Sequence, residues 1–246
     1  MTKNKIASTA IIGDNVTIGE NTEIMDHVII HDNVSIGANC KIYPFVVIGS
    51  DPQDYSFKPE DNSSVTIGDF NIIREYVSIH TGVGLDSETK IGNHNFIMSY
   101  CHIAHNAVVG DHVTLTNSVQ VGGHSHIEDY VNIGGLTAIH QNCRVGKHAM
   151  ISGMSATSKD LPPYMIFGLI PAVGASINRI GLKRHNFSSE VLRELNKAYK
   201  IIYKMKLSLP SAIARLEEEC EQLEEIKYLI NFLKSSKRGI KLDRTY

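Results

Sequence analysis

Residues 91–151, written in sixes, read IGNHNF IMSYCH IAHNAV VGDHVT LTNSVQ VGGHSH IEDYVN IGGLTA IHQNCR VGKHAM I. Every block opens on an aliphatic residue: Ile91, Ile97, Ile103, Val109, Leu115, Val121, Ile127, Ile133, Ile139, Val145 and Ile151. A period of six matches neither an α-helix nor a plain alternating strand. It fits a short strand followed by a corner, with the aliphatic side chain turned inward. Three such units close a triangular coil of 18 residues. Stacked coils then lie about 4.8 Å apart, the ordinary spacing of paired strands. Glycine, asparagine and aspartate are expected to take the unusual backbone angles at the corners.

The same period runs through the N-terminal part, where Ile stands at 6, 12, 18, 24, 30, 36, 42 and 48. A small or β-branched residue follows four places later, at Ala10, Val16, Thr22, Val28, Val34, Cys40 and Val46. The pattern breaks over 51–66, resumes one residue out of phase at Ile67, Ile73 and Ile79, and breaks again over 81–88. Both breaks are expected as loops thrown out from corners, where function concentrates. The repeat is similar to that of left-handed parallel β-helix proteins. The handedness follows from that resemblance, since the period does not give it and the usual crossover is right-handed. The expected organisation is an all-β, left-handed parallel β-helix over 1–172, with loops at 51–66 and 81–88, then a C-terminal α-helical domain over 173–246. In that tail Leu192, Leu195, Ala198, Tyr199, Ile202 and Tyr203 recur at helical spacing behind a cap at Ser188 or Ser189. Pro210 marks the start of a further helix.

No apolar run reaches membrane-spanning length, and MTKNKIAST lacks the apolar stretch of a secretion signal. A soluble, cytoplasmic protein without stable membrane insertion is expected. The four cysteines form no CxxC pair, and Cys40, Cys101 and Cys143 share one position of the repeat, which reads as small core residues. The net charge of −2 hides an asymmetry: residues 1–172 hold 9 Lys/Arg against 17 Asp/Glu, and residues 173–246 hold 15 against 9. A basic tail on an acidic body suits an anionic partner, or simply a solvated helix face. Nothing in the pattern points to nucleic acid.

Twelve histidines are many for this length, and His94, His102, His105, His112, His124, His126, His140 and His148 cluster. The repeat locates them, because residues 18 apart share a column. His105 stacks under Gly123 and Gly123 under Gln141, while His102 stacks under Gln120 and His124 is a neighbour. A histidine near neutral pKa takes a proton from a hydroxyl, and a glycine N–H one coil away stabilises an oxyanion. That combination suits acyl transfer. His27, His31 and His112 read as surface corners.

The segment from His102 to Gly153, with PQD at Pro52–Asp54, IRE at Ile73–Glu75 and GLKR at Gly181–Arg184, resembles the UDP-N-acetylglucosamine O-acyltransferases that open lipid A biosynthesis. The resemblance runs almost the full length and includes the helical tail. It implies an enzyme moving a medium-to-long acyl chain from acyl carrier protein to the 3-hydroxyl of a UDP-amino sugar. It also implies a homotrimer with no metal or other cofactor. Carried over residue by residue, it makes His105 the general base and Gly123 the oxyanion donor. His124, His140 and Gln141 line the donor and sugar site, with His102 on the same edge. Gln53 and Asp54 sit on the first loop, with Asp54 on the sugar. Asn178 and Arg184 hold the nucleotide, and Gly153 leaves room for the acyl chain. A basic run of Lys234, Lys237, Arg238, Lys241 and Arg244 suits docking of an acidic carrier protein.

Several residues depart from the family pattern. Ser56 stands where a lysine is expected, Ile180 for an acidic residue, His185 for a second arginine, and Asn106 for an aspartate; His80-Thr81-Gly82-Val83 replaces HRGT. These changes spare the acyl-transfer centre and alter the grip on the nucleotide. Two enzymatic alternatives remain open at this point. One is a paralogue acylating another nucleotide sugar on oxygen or nitrogen. The other is a zinc-dependent lyase of the γ-carbonic-anhydrase kind, which needs three histidines around the metal. A third reading, a catalytically silent prism, is opposed by the intact His105 column.

Overall fold

The computed structural model describes residues 4–242. Among the described residues, twenty-five short strands, most of them two residues long, stack into three sheets of 10, 8 and 7 strands, parallel except for the last pair of the ten-stranded sheet. These are the three faces of a left-handed β-helical prism. Most coils are in register at 18 residues, as where Ile103 pairs with Val121 and Val121 with Ile139. The first loop lengthens one coil to 31 residues and the second lengthens the next to 24, and pairing resumes unshifted after each. Both loops leave the end of a strand on the eight-stranded face. They are shorter than the sequence breaks, because Ser64–Ile67 and Glu88–Ile91 are already strands.

The inward aliphatic column forms the core. Ile42, Ile73, Ile97, Leu115, Ile133 and Ile151 are fully buried, with Cys40, Cys101 and Cys143 among them. Each buried side chain of this size contributes about 1.5–3 kcal/mol relative to exposure, so a continuous column stabilises a chain whose strands are individually too short to persist. The corners differ from expectation. The left-handed backbone seat is filled by Asn, His and aromatic residues, such as Asn106, His124, Tyr130 and His148. Of the 19 glycines only Gly49, Gly84 and Gly239 have positive φ. Most of the others lie where successive coils come too close for a side chain. At Gly110, for example, an added Cβ would sit 2.3 Å from Asp129 Oδ1.

Three edges run along the prism, each a stack of corner residues. The first, between the eight- and seven-stranded faces, carries Asn106, His124 and Asn142. The second carries Phe70, His94, His112, Tyr130 and His148. The third carries Phe45, Tyr76, Tyr100, Leu136 and Met154, all exposed.

The helical part starts later than the 172/173 boundary expected from the sequence. Val173–Ile177 is a strand, paired antiparallel with Met165–Gly168, and it closes the ten-stranded face. Four helices follow: α1 (Arg179–Arg184), α2 (Ser189–Lys204), α3 (Leu209–Glu219) and α4 (Glu224–Ser235). Ser188 caps α2 by accepting from the Val191 N–H, and Pro210 lies in the first turn of α3. The helices dock on the last coils. Tyr228 donates to Glu128 at 2.6 Å, Arg144 stacks on Phe232 and donates to its carbonyl, and Ser236 bonds Asp160.

Candidate active site

Four histidines meet on the first edge beneath the two loops. His105 opens the turn after His102–Ile103 and is only 8% exposed. Its Nδ1 lies 2.9 Å from the Asn106 Oδ1. That amide is held in one orientation, because Oδ1 accepts from the Val83 N–H and Nδ2 donates to the Val83 carbonyl. An acceptor facing Nδ1 requires the proton there, so neutral His105 carries its lone pair on Nε2. The second loop thus fixes the tautomer of a base on the prism.

Nε2 faces two groups. A Cβ built on Gly123 would lie 2.6 Å from it, so this position must be glycine for the ring to occupy its place. The Gly123 N–H has no hydrogen-bond acceptor among the described residues. Opposite stands Asp54 of the first loop, with Oδ2 3.6 Å from Nε2, beyond hydrogen-bond reach. Its Oδ1 accepts from both the backbone and the hydroxyl of Ser56, at 2.8 and 2.6 Å. These bonds hold the Asp54 carboxyl below its usual range, as do the neighbouring His105 and His124. Ser56, which stands where a lysine is expected, is the residue that aims Asp54.

His124 crosses His105 edge-on, with centroids 5.1 Å apart, and burial with His105 beside it lowers its pKa. His102 is shifted down in the same way and bonds Ser78 Oγ through Nδ1 at 2.8 Å. His140 and Gln141 lie on the coil above Gly123 and are exposed, His140 approached by Arg238 at 3.4 Å. An apolar groove of about 400 Å³ runs up the eight-stranded face past His102, Gln120, Ala138 and Ala156 to Ile170 and Pro171. Gly153 is exposed at the third edge, beside the upper end of that face. Gln53 is exposed on the first loop.

Asn178 and Arg184 lie elsewhere. They line a pocket of about 330 Å³ against the second edge, with His112, Tyr130, His148 and His185. Asn178 is committed to structure: Oδ1 caps α1 at Gly181 and Nδ2 donates to the His148 carbonyl. Arg184 is exposed at the pocket rim.

Comparison with known proteins fits this layout. A family model described as UDP N-acetylglucosamine O-acyltransferase, domain 2, matches residues 160–241, and a bacterial transferase hexapeptide model matches 88–123. An acyl-[acyl-carrier-protein]–UDP-N-acetylglucosamine O-acyltransferase of Thermodesulfovibrio yellowstonii is 45% identical over 96% of this chain and 91% of its own. One from Syntrophobacter fumaroxidans is 42% identical over 96% and 92%. The chain belongs to the UDP-N-acetylglucosamine O-acyltransferase family. The family's solved structures agree. That from Francisella novicida has a TM-score of 0.89 at 39% identity, covering 99% of this chain and 91% of its own. The Bacteroides fragilis enzyme scores 0.86 at 37%, covering 98% and 99%. These relatives are named as acyltransferases, which leaves the lyase alternative without support.

Three of the residues that depart from the expected pattern have defined places in the structure. Asn106 supplies an uncharged acceptor where a carboxylate was expected. Ile180 and His185 line the second-edge pocket, His185 meeting the rings of Tyr130 and His148. The loop contacts of Val83 and Ser56 had no signal in the sequence: Val83 meets Asn106, 23 residues along the chain, and Ser56 is folded back on Asp54 by a turn within the first loop.

Proposed function

We propose that this protein transfers an acyl chain from acyl carrier protein to the 3-hydroxyl of UDP-N-acetylglucosamine or a close relative, the first step of lipid A biosynthesis. The observation that carries the mechanism is the fixed lone pair of His105 Nε2, set between Gly123 and Asp54. Asp54, held ionised by Ser56, orients the sugar. Nε2 takes the proton of the hydroxyl as its oxygen attacks the thioester carbonyl. The oxyanion accepts from the Gly123 N–H. Collapse forms the ester and breaks the carbon–sulfur bond, and His105 returns its proton to the departing thiolate. His102 and His124, kept neutral by burial, line the site without adding charge. The apolar groove past Gln120, Ala138 and Ala156 suits the acyl chain. Incubation with a panel of UDP-sugars and acyl carrier proteins, read by mass spectrometry, tests this. Absence of any ester product would refute it.

We further infer a homotrimer. In one chain His105 is on the first edge and Arg184 on the second, with a whole face between them. A neighbouring copy supplies the missing half, and the exposed ridge of Phe45, Tyr76, Tyr100, Leu136 and Met154 offers apolar surface for contact. Mixing inactive His105→Ala and Arg184→Ala chains should restore part of the activity if the site is shared; no recovery after subunit exchange would place it within one chain. The carrier protein docks on the basic tail by this reading. Lys234 pairs with Glu217 and Arg238 reaches the Ser158 carbonyl, while Arg244 lies outside the described residues. Turnover should then fall with salt. A cytoplasmic location fits a carrier-protein donor.

A further inference from the structure

His80 belongs to the catalytic edge, yet the acyl-transfer steps above leave it unused. It ends the strand Ser78–His80, one coil below the His102–Ile103 strand that leads to His105. It is 5% exposed, and its ring meets His102 edge-on at 4.5 Å. Its Nδ1 is sealed from solvent and has no hydrogen-bond partner among the described residues. Nε2 is not sealed in that way, and it too makes no hydrogen bond among the described residues.

The two nitrogens of a neutral imidazole are one donor and one acceptor. Leaving a buried N–H unpaired is rarer and worse tolerated than leaving a lone pair unpaired. The sealed Nδ1 therefore carries the lone pair, and the proton sits on Nε2, the nitrogen with an outlet. Burial, with His102 and His105 beside it, drives the His80 pKa down to about 4, against a smaller opposing pull from Asp51. The ring is neutral at physiological pH, and a neutral N–H in a dry site is a donor suited to a carbonyl oxygen.

We propose that His80 Nε2–H is a positioning donor for the acceptor sugar, bonding the carbonyl oxygen of its 2-acetamido group. This rests on the acyl-transfer reading above. Two placements favour that oxygen over the thioester carbonyl. His80 lies one coil below the base, on the side away from Gly123, which serves the oxyanion. It also lies toward Asp51, at the root of the loop whose Asp54 faces the sugar. One coil is about 4.8 Å. That step suits an acetamido group on the carbon next to the one bearing the reacting hydroxyl at Nε2 of His105. The consequence is selection for an N-acylated amino sugar over a plain hexose.

The test compares UDP-N-acetylglucosamine with UDP-glucose, which lacks the acetamido group, in wild type, His80→Phe and His80→Gln. His80→Phe should lower kcat/KM for the acetamido sugar roughly tenfold or more, as for a buried carbonyl left unpaired. UDP-glucose should lose several-fold less, and His80→Gln, which keeps an N–H donor, should recover part of the preference. Equal losses on both sugars, or none on either, would overturn the proposal. Wild type that acylates neither sugar would count against the acyl-transfer reading instead. His80 would then be decided by long-range proton–nitrogen NMR of histidine-labelled wild type, assigned with His80→Gln. The expected signal is a neutral ring protonated at Nε2 at pH 7. A proton on Nδ1, or titration near pH 6.5, would overturn the proposal independently of turnover.

Discussion

Two edges of the same prism are rich in histidine and use it in opposite ways. On the second edge His94, His112, Tyr130 and His148 occupy successive left-handed corners, their rings parallel within 6° and 4.7–4.8 Å apart. Phe70 extends the stack below, and Phe187 meets His148 edge-on above. On the first edge the rings cross at 74° and 88°, and the bases are set by loops and by a bare glycine. Stacking that matches the coil spacing spends a ring on its neighbours. Crossing leaves ring nitrogens to be aimed. A histidine's chemistry here depends on which edge its corner falls on, and the residue type alone does not reveal it.

The largest contrast should appear on removing one ring from each edge. His105→Ala should lower kcat by about 10²–10⁴-fold with little change in melting temperature. His112→Ala should leave kcat within a few fold and destabilise by about 1 kcal/mol for each lost ring pair. Steady-state rates and thermal melts of the two variants decide it, and a His105→Ala enzyme retaining a tenth of its rate ends the assignment. Next comes the glycine that the crossed geometry requires. Gly123→Ala pushes a methyl onto Nε2 and should lower kcat by about 10²-fold, an effect comparable to loss of an oxyanion donor. Wild-type kinetics in that variant would show that the ring does not need this place.

These contrasts mark what the sequence could and could not convey. The period of six made the prism legible, because one aliphatic residue per strand is all the core requires. Columns 18 apart brought His105, Gly123 and Gln141 to one edge by counting alone. The strand Val173–Ile177 escaped because it is antiparallel and follows no hexapeptide. Asn178 and Arg184 were assigned to the same site as His105, yet in the single chain they lie across a face from it. The Val83–Asn106 contact joins the second loop to the edge, and the Ser56–Asp54 contact shapes the first loop, through geometry that no spacing encodes. The parallel rings of the second edge were visible only as a crowd of histidines.

A smaller effect should distinguish an amide from a carboxylate behind the base. Asn106→Asp places a negative charge beside His105 Nδ1–H and stabilises the imidazolium. The pKa of the base rises, so activity on the acid side should be lost at higher pH than in wild type. The acid limb of kcat/KM against pH should move up by about one unit; an unmoved limb would mean that Asn106 does not govern the base.

The smallest effect belongs to the stacked edge and concerns stability. Burial lowers the His148 pKa to about 4, with His185 and Lys147 adding to the shift, while the unfolded chain titrates near the ordinary value of 6.5. Between those values the unfolded state binds more protons, so stability is full above about pH 6.5 and declines as pH falls toward 4. His148→Phe keeps a ring in the stack and should flatten part of that decline, the other buried histidines with lowered pKa values, His80, His102 and His124, contributing as well. Denaturant midpoints at pH 7 and pH 5 would measure it, and an unchanged difference in the variant would remove His148 from the cause.

The uniform register of the coils has an evolutionary corollary. Between His102 and Ala156 the strands advance in steps of 18 residues. The span from base to groove end is therefore available only in multiples of about 4.8 Å. Gaining or losing one coil changes it by a whole step and leaves every corner intact. Differences of a single methylene in a bound chain lie below that step. They must be set by the bulk of individual side chains that line the groove, such as Ile170 or Ala156. Coarse length is thus inherited with the number of coils, and fine length can drift by point substitution.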